Sequence, residues 1–192
     1  MKVKLCGLTR NVDIQAANKI LPEYIGFVFA KNSKRKLTFE QAKQLRKQLL
    51  PQIKSVGVFV EPRFEEIKLL ADAQIISCVQ LHGDIDSTLI EKIQGQGLYV
   101  IQALKEEYRE TIADAILLDA SEGAGIFTKW KNIPVKRNKP LFLAGGLTVK
   151  NIEHAIRDTN PDVIDVSSGI ETNGLKDADK MAQITQLVHK FN

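Results

Sequence analysis

Four side chains in this sequence have the type and position to handle protons or hydroxyls. Cys6 closes the run Val3-Lys4-Leu5-Cys6 and is followed by Gly7. A thiol becomes a base or nucleophile where positive surroundings lower its pKa, and Lys4, Arg10 and Arg35 are available to supply them. The alternative is a small buried hydrophobe, the common fate of a free cysteine and the reading taken for Cys78. Asp119 ends the apolar run Ile116-Leu117-Leu118. A carboxylate there must be paired, hydrogen-bonded or directed into a polar cavity. Partial desolvation would raise its pKa toward what a general acid needs near neutral pH; a helix cap or ion-pair partner is the structural alternative. His82, after Val79-Gln80-Leu81, could donate to a substrate or hold a loop. Asp165 shares strand parity with Val163 and Ser167, so it could bind a substrate hydroxyl, orient its neighbours or pair with Lys4.

Two Gly/Ser clusters suit an anion. They are Ala144-Gly145-Gly146-Leu147 and Ser167-Ser168-Gly169-Ile170. Glycines let backbone approach a phosphate closely, and free N–H groups at a helix start bind it without a charged side chain. A Gly-Gly after a strand is otherwise a turn; the pairing of two such clusters near the chain's end favours the phosphate reading.

The elements that must position these groups are short apolar runs alternating with amphipathic stretches. Strands are predicted over Val3–Cys6, Tyr24–Phe29, Ser55–Val60, Ile76–Leu81, Leu98–Ala103, Ala115–Asp119, Leu141–Ala144 and Val163–Ser167. They are rich in Val, Ile, Leu and Phe, as strands buried on both faces are. Apolar residues recur at helical spacing at Phe39, Ala42, Leu45 and Leu49, at Phe64, Ile67 and Leu70, and at Met181, Ile184, Val188 and Phe191. Thr38 and Thr148 are expected to cap helices, and His154 and His189 to lie on helices facing solvent. Residues 120–139 read as a loop with a short or distorted helix.

Eight strands alternating with about eight helices imply parallel pairing through right-handed crossovers. A doubly wound sheet and a closed (βα)8 TIM barrel of the α/β class both fit. No GxGxxG follows the first strand, and Cys6, His82, Asp119 and Asp165 sit at strand ends, where a barrel gathers its active site. The expectation is one compact barrel domain over residues 1–192. Its units average 192/8 = 24 residues, against about 31 in a barrel of roughly 250 residues, so the loops must be lean.

Composition excludes several other classes. No apolar run approaches the roughly 18–20 residues that span a bilayer, and the N-terminus lacks a signal-peptide apolar stretch. Two cysteines make no disulfide framework and lack zinc-ligand spacing, which points to a reduced, cytoplasmic setting. Residues 1–50 hold 11 Lys or Arg against 3 Asp or Glu, a surplus of +8, while the other 142 residues sum to −4. No basic run is interleaved with aromatics, so attraction of a small anionic substrate is favoured over nucleic-acid binding. No membrane partner is expected.

Together these segments resemble phosphoribosylanthranilate isomerase, a small (βα)8 enzyme of tryptophan biosynthesis. The resemblance runs through Lys4-Leu-Cys-Gly-Leu-Thr9, Gly26-Phe-Val-Phe29, Ser33-Lys-Arg35, Val56-Gly-Val-Phe-Val60, Val79-Gln-Leu-His-Gly83, Leu117-Leu-Asp119, Leu143-Ala-Gly-Gly-Leu147 and Asp165-Val-Ser-Ser-Gly-Ile-Glu171. It implies an Amadori rearrangement of N-(5′-phosphoribosyl)anthranilate, with Asp119 as general acid, Cys6 as general base and Arg35 on the anthranilate carboxylate. It further implies that Gly145, Gly146, Ser168 and Gly169 hold the phosphate, that His82 and Asp165 line the mouth, and that no metal or organic cofactor is needed. Monomer and homodimer are both compatible with it. Where the family has Gly-rich sequence ending Phe-Asp-Trp, this chain reads Gly123-Ala-Gly125 through Phe127 to Thr128-Lys129-Trp130. Phe127 and Trp130 could wall an aromatic pocket or simply cover the barrel end. Rival phosphate barrels fit less well: a metal-dependent epimerase needs more strand-end His and Asp, and indole-glycerol-phosphate synthase needs strand-end lysines, which no predicted strand supplies.

Overall fold

The computed structural model describes residues 1–105, 107–119, 133–134 and 136–191. Eight parallel strands close on themselves in chain order: β1 (Lys2–Cys6), β2 (Tyr24–Val28), β3 (Lys54–Val60), β4 (Cys78–His82), β5 (Tyr99–Lys105), β6 (Ala115–Asp119), β7 (Leu141–Ala144) and β8 (Val163–Val166). Around them lie α1 (Asn11–Ile20), α2 (Phe39–Gln48), α3 (Phe64–Asp72), α4 (Ser87–Gln94), α5 (Ile152–Thr159) and α6 (Ala178–His189). A 3-10 turn, Ser168–Ile170, leads from β8 into a hairpin of β9 (Glu171–Thr172) and β10 (Leu175–Lys176).

Closure follows from two apolar faces per strand. Alternate side chains point to opposite sides. One set, including Val56, Val58, Ile101, Leu117 and Phe142, packs with Cys6 inside the barrel. The other, including Val3, Leu5, Ile25, Leu81 and Ile164, packs beneath the helices. Helix starts are fixed by side chains. Thr38 Oγ1 accepts from Gln41 N at 3.2 Å while Gln41 Oε1 accepts from Thr38 N at 2.9 Å, a reciprocal cap. Among the described residues, no helix is long and apolar enough to cross a membrane.

Several expectations are corrected here. Six α-helices are present among the described residues rather than about eight, and residues 107–114 join β5 to β6 without one. There Thr111 bonds Gln102 and accepts from Ala113 N, while Asp114 N donates to Val100 O, so local bonds replace a helical ladder. β5 runs two residues beyond its predicted end and finishes at Lys105, in register with Asp119; a strand does therefore end in lysine. β4 starts at Cys78, because Ile75–Ser77 serve as the approach, with Ser77 N donating to Ser55 O. Asn151, not Thr148, holds the N-cap position of α5, without a side-chain bond to the helix; Thr148 forms the preceding turn, its N–H donating to Asn151 Oδ1 at 2.7 Å. Most of the 120–139 loop, with Phe127, Lys129 and Trp130, lies outside the described residues.

Candidate active site

The β1 pleat puts Lys4 and Cys6 on one face, two residues apart, both turned into the barrel. Register sets Lys4 opposite Asp165 on β8 and Cys6 opposite Gly26 on β2. Lys4 Nζ donates to Asp165 Oδ2 at 2.7 Å, with the lysine wholly buried. Asp165 therefore sits a layer below the rim rather than at a strand end, paired as one of its alternatives required. Its Oδ1 is buried and takes no hydrogen bond. Gly26 makes room for the thiol: a Cβ there would stand 2.6 Å from Cys6 Sγ.

Burial pushes the Cys6 thiol up; Lys4 and Lys176 pull it down and Asp165 pushes it up, and it stays above its ordinary value. Burial also works against the Lys4 charge, but Asp165 and then Cys6 outweigh it and hold the ammonium firmly protonated. At the end of β4, burial takes the His82 imidazole down to about 4 against a smaller opposing pull from Asp119. The ring is thus neutral near pH 7, and Gln80 Nε2 lies 2.8 Å from its Nε2, a contact that a neutral ring can accept.

A narrow cavity of about 160 Å³ brings together Cys6, Arg35, His82, Asp119, Gly145, Gly146, Asp165 and Ser168. It shares Val58, His82 and Asp119 with a wider cavity of about 1170 Å³ that reaches Ser33, Tyr108 and Arg109. Of the predicted site residues only Gly169 does not line it. Gly169 instead lets the two anion loops touch, since a Cβ there would fall 1.8 Å from Leu147 O. Gly145 and Gly146 take φ of +101° and +61°, conformations that glycine adopts without strain, and Asn151 Nδ2 holds the Gly146 carbonyl at 2.9 Å.

Arg35 arrives from the β2–α2 loop and pairs side-on with Glu171, Nε to Oε1 at 2.6 Å and Nη2 to Oε2 at 2.8 Å. Glu171 and Lys176 were not singled out from sequence, nor were Lys4 and Gln80 placed in the site. Strand parity would have flagged Lys4 and Gln80, each two residues before a predicted site residue. The two remaining histidines stand apart from the mouth: His154 is exposed beside Asp158, and His189, expected to face solvent, is half-buried against Glu23.

The cavity lining combines groups able to give up or take a proton with glycine-rich backbone able to seat an anion. The family model described as N-(5'phosphoribosyl)anthranilate (PRA) isomerase matches residues 3–187. A relative from Lacticaseibacillus paracasei, named N-(5'-phosphoribosyl)anthranilate isomerase, is 42% identical over 186 residues, covering 96% of this chain and 92% of its own length. A phosphoribosyl anthranilate isomerase structure from Thermus thermophilus superimposes with a TM-score of 0.89 at 29% identity, covering 100% of both chains. Another solved isomerase, at TM-score 0.83 and 30% identity with 99% of each chain covered, is in complex with reduced 1-(o-carboxyphenylamino)-1-deoxyribulose 5-phosphate.

Proposed function

The chain belongs to the N-(5'-phosphoribosyl)anthranilate isomerase family, and from that premise we propose that Asp119 and Cys6 run its reaction as general acid and general base. The enzyme isomerises N-(5'-phosphoribosyl)anthranilate in tryptophan biosynthesis. Asp119 gives its proton to the furanose ring oxygen as the C1′–O bond breaks, and the nitrogen lone pair closes a C1′=N iminium. Cys6 then takes the C2′ proton. The C2′–H electrons form C1′=C2′, the iminium π pair returns to nitrogen, and the enol tautomerises to the C2′ ketone. The iminium is the electron sink.

The high pKa of Cys6 has two effects. It keeps the thiolate scarce, and it makes the thiolate that forms a stronger base. Lys4 supplies the fixed positive charge beneath it. Arg35 takes the anthranilate carboxylate, for which a planar guanidinium is suited. The Gly145-Gly146 and Ser168-Gly169 loops hold the phosphate on backbone N–H groups. Asp165 Oδ1 and the neutral His82 ring are placed for substrate hydroxyls. All these groups come from one barrel, so a monomer or a homodimer would serve. Two free, buried cysteines suit the reducing cytoplasm.

The observation that carries this reading is the gathering of Cys6 and Asp119 about one cavity that also holds both anion loops. The test uses purified protein with substrate generated in situ, followed by loss of its fluorescence. Cys6→Ser and Asp119→Asn should each cut kcat by at least about a hundredfold, the usual scale of acid–base assistance. If both keep wild-type kcat, the role assignments fall.

A further inference from the structure

We propose that Glu171 is a positioning residue for carboxylate recognition, locking Arg35 side-on so that the end-on fork of its guanidinium is offered to a benzoate-type carboxylate. This rests on the reading of Arg35 given above. A guanidinium has five N–H donors. The side-on pair with Glu171 uses Nε and one donor of Nη2, and no described residue takes a bond from Nη1. Of the three donors left, one on Nη1 and one on Nη2 form the end-on fork, and Arg35 lines the inner cavity.

Glu171 is itself fixed. Lys176 Nζ, whose side chain is only 2% exposed, donates to Glu171 Oε1 at 2.7 Å and to Ser167 O at 2.9 Å. The β9–β10 pairing sets Lys176 directly opposite Glu171, and Lys180 Nζ donates to the Glu171 carbonyl at 2.7 Å. Burial works against the Glu171 charge, yet the bonds from Arg35 and Lys176 hold its carboxyl below the usual range. Ser167 Oγ continues the chain to the Cys6 carbonyl at 3.3 Å. A long, half-exposed arginine is therefore held in one orientation before substrate arrives, and its anchor is tied to the loop that carries Ser168 and Gly169.

Glu171→Gln keeps the shape and breaks the side-on ion pair. It should raise KM about tenfold and weaken inhibition by anthranilate to match, with kcat within about threefold and inhibition by inorganic phosphate unchanged. The same change in an Arg35→Ala background should add no further rise in KM, because the residue acts only through Arg35. If Arg35→Ala leaves KM unchanged, the reading of Arg35 fails and takes this inference with it. If Arg35→Ala raises KM but Glu171→Gln does not, or if Glu171→Gln raises it equally in both backgrounds, the inference alone is overturned. Should Glu171→Gln not fold, Glu171→Asp, which keeps the charge on a shorter arm, carries the same test with a smaller expected rise.

Discussion

Gly26→Ala should disable the enzyme through the sulfur of Cys6 while leaving the barrel closed. The added methyl would lie 2.6 Å from Cys6 Sγ, 3.2 Å from Cys6 Cα and 3.3 Å from Cys6 Cβ. Ordinary non-bonded contact is about 3.5–4.0 Å, so the sulfur must retreat by roughly 1 Å, and the nearby Cα limits how the rest of the residue can follow. A misplacement of about 1 Å at a reacting group costs on the order of a hundredfold. The expected outcome is kcat down about a hundredfold with KM changed less than about threefold. Crowding a packed core also costs about 1–3 kcal/mol of stability, which alone could confuse the result. Gly57→Ala supplies the control. Its methyl would stand 2.7 Å from Phe59 Cε2 and 3.1 Å from Ile76, on the opposite face of β3, away from the thiol. It should lose similar stability by urea denaturation yet keep kcat within about threefold. Wild-type kcat in Gly26→Ala, or an equal loss in Gly57→Ala, would refute the claim that the site needs this glycine to seat the sulfur.

The thiol is held above its ordinary value, chiefly by burial, so near pH 7 the thiolate should be scarce. In Cys78→Ser protein, iodoacetamide alkylation of Cys6 should therefore keep climbing beyond pH 9, and a plateau near pH 7 would mean a preformed thiolate. Folding holds the His82 pKa near 4, below its ordinary 6.5. Between those values the unfolded chain binds a proton that the folded one does not, so the stability contributed by neutral His82 is lost as pH falls through that window. His82→Gln should flatten this part of the urea-stability curve, and an unchanged slope would contradict it. Lys4→Met should cost about 3–5 kcal/mol by leaving Asp165 buried beside an apolar chain, and Asp165→Asn added to it should restore part of the loss. Calorimetry showing Lys4→Met as stable as wild type would sink that account.

All eight strands were legible because each is buried on two faces, and a strand buried twice leaves a run rich in Val, Ile, Leu and Phe. Its place at a strand end then marked Cys6 for the barrel mouth, parity put Asp165 on one face with Val163 and Ser167, and chain order put the two glycine clusters in neighbouring loops. The misses have local causes. The β5–β6 connection carries no helix because Thr111 and Asp114 bond nearby backbone and side chains, which no apolar period records. Arg35 and Glu171 lie 136 residues apart, and Lys176 is a lysine buried in a two-residue strand. Nothing in composition or spacing distinguishes such partners from surface charges.

Around Cys6 the barrel gathers three cations, Lys4, Arg35 and Lys176, and two structural carboxylates, Asp165 and Glu171. Within this ion-paired group the cations exceed the carboxylates by one, and His82 beside it is neutral. A substrate bearing a carboxylate and a phosphate meets that surplus on arrival. The exposed Lys31, Lys34 and Lys36 stand on the same β2–α2 loop as Arg35, so part of the basic surplus of the N-terminal quarter lies at this end of the barrel. Short units also make physical sense in these terms. Most of the working groups stand on strands or within a few residues of a strand end, so a lean unit loses connection length and none of its chemistry.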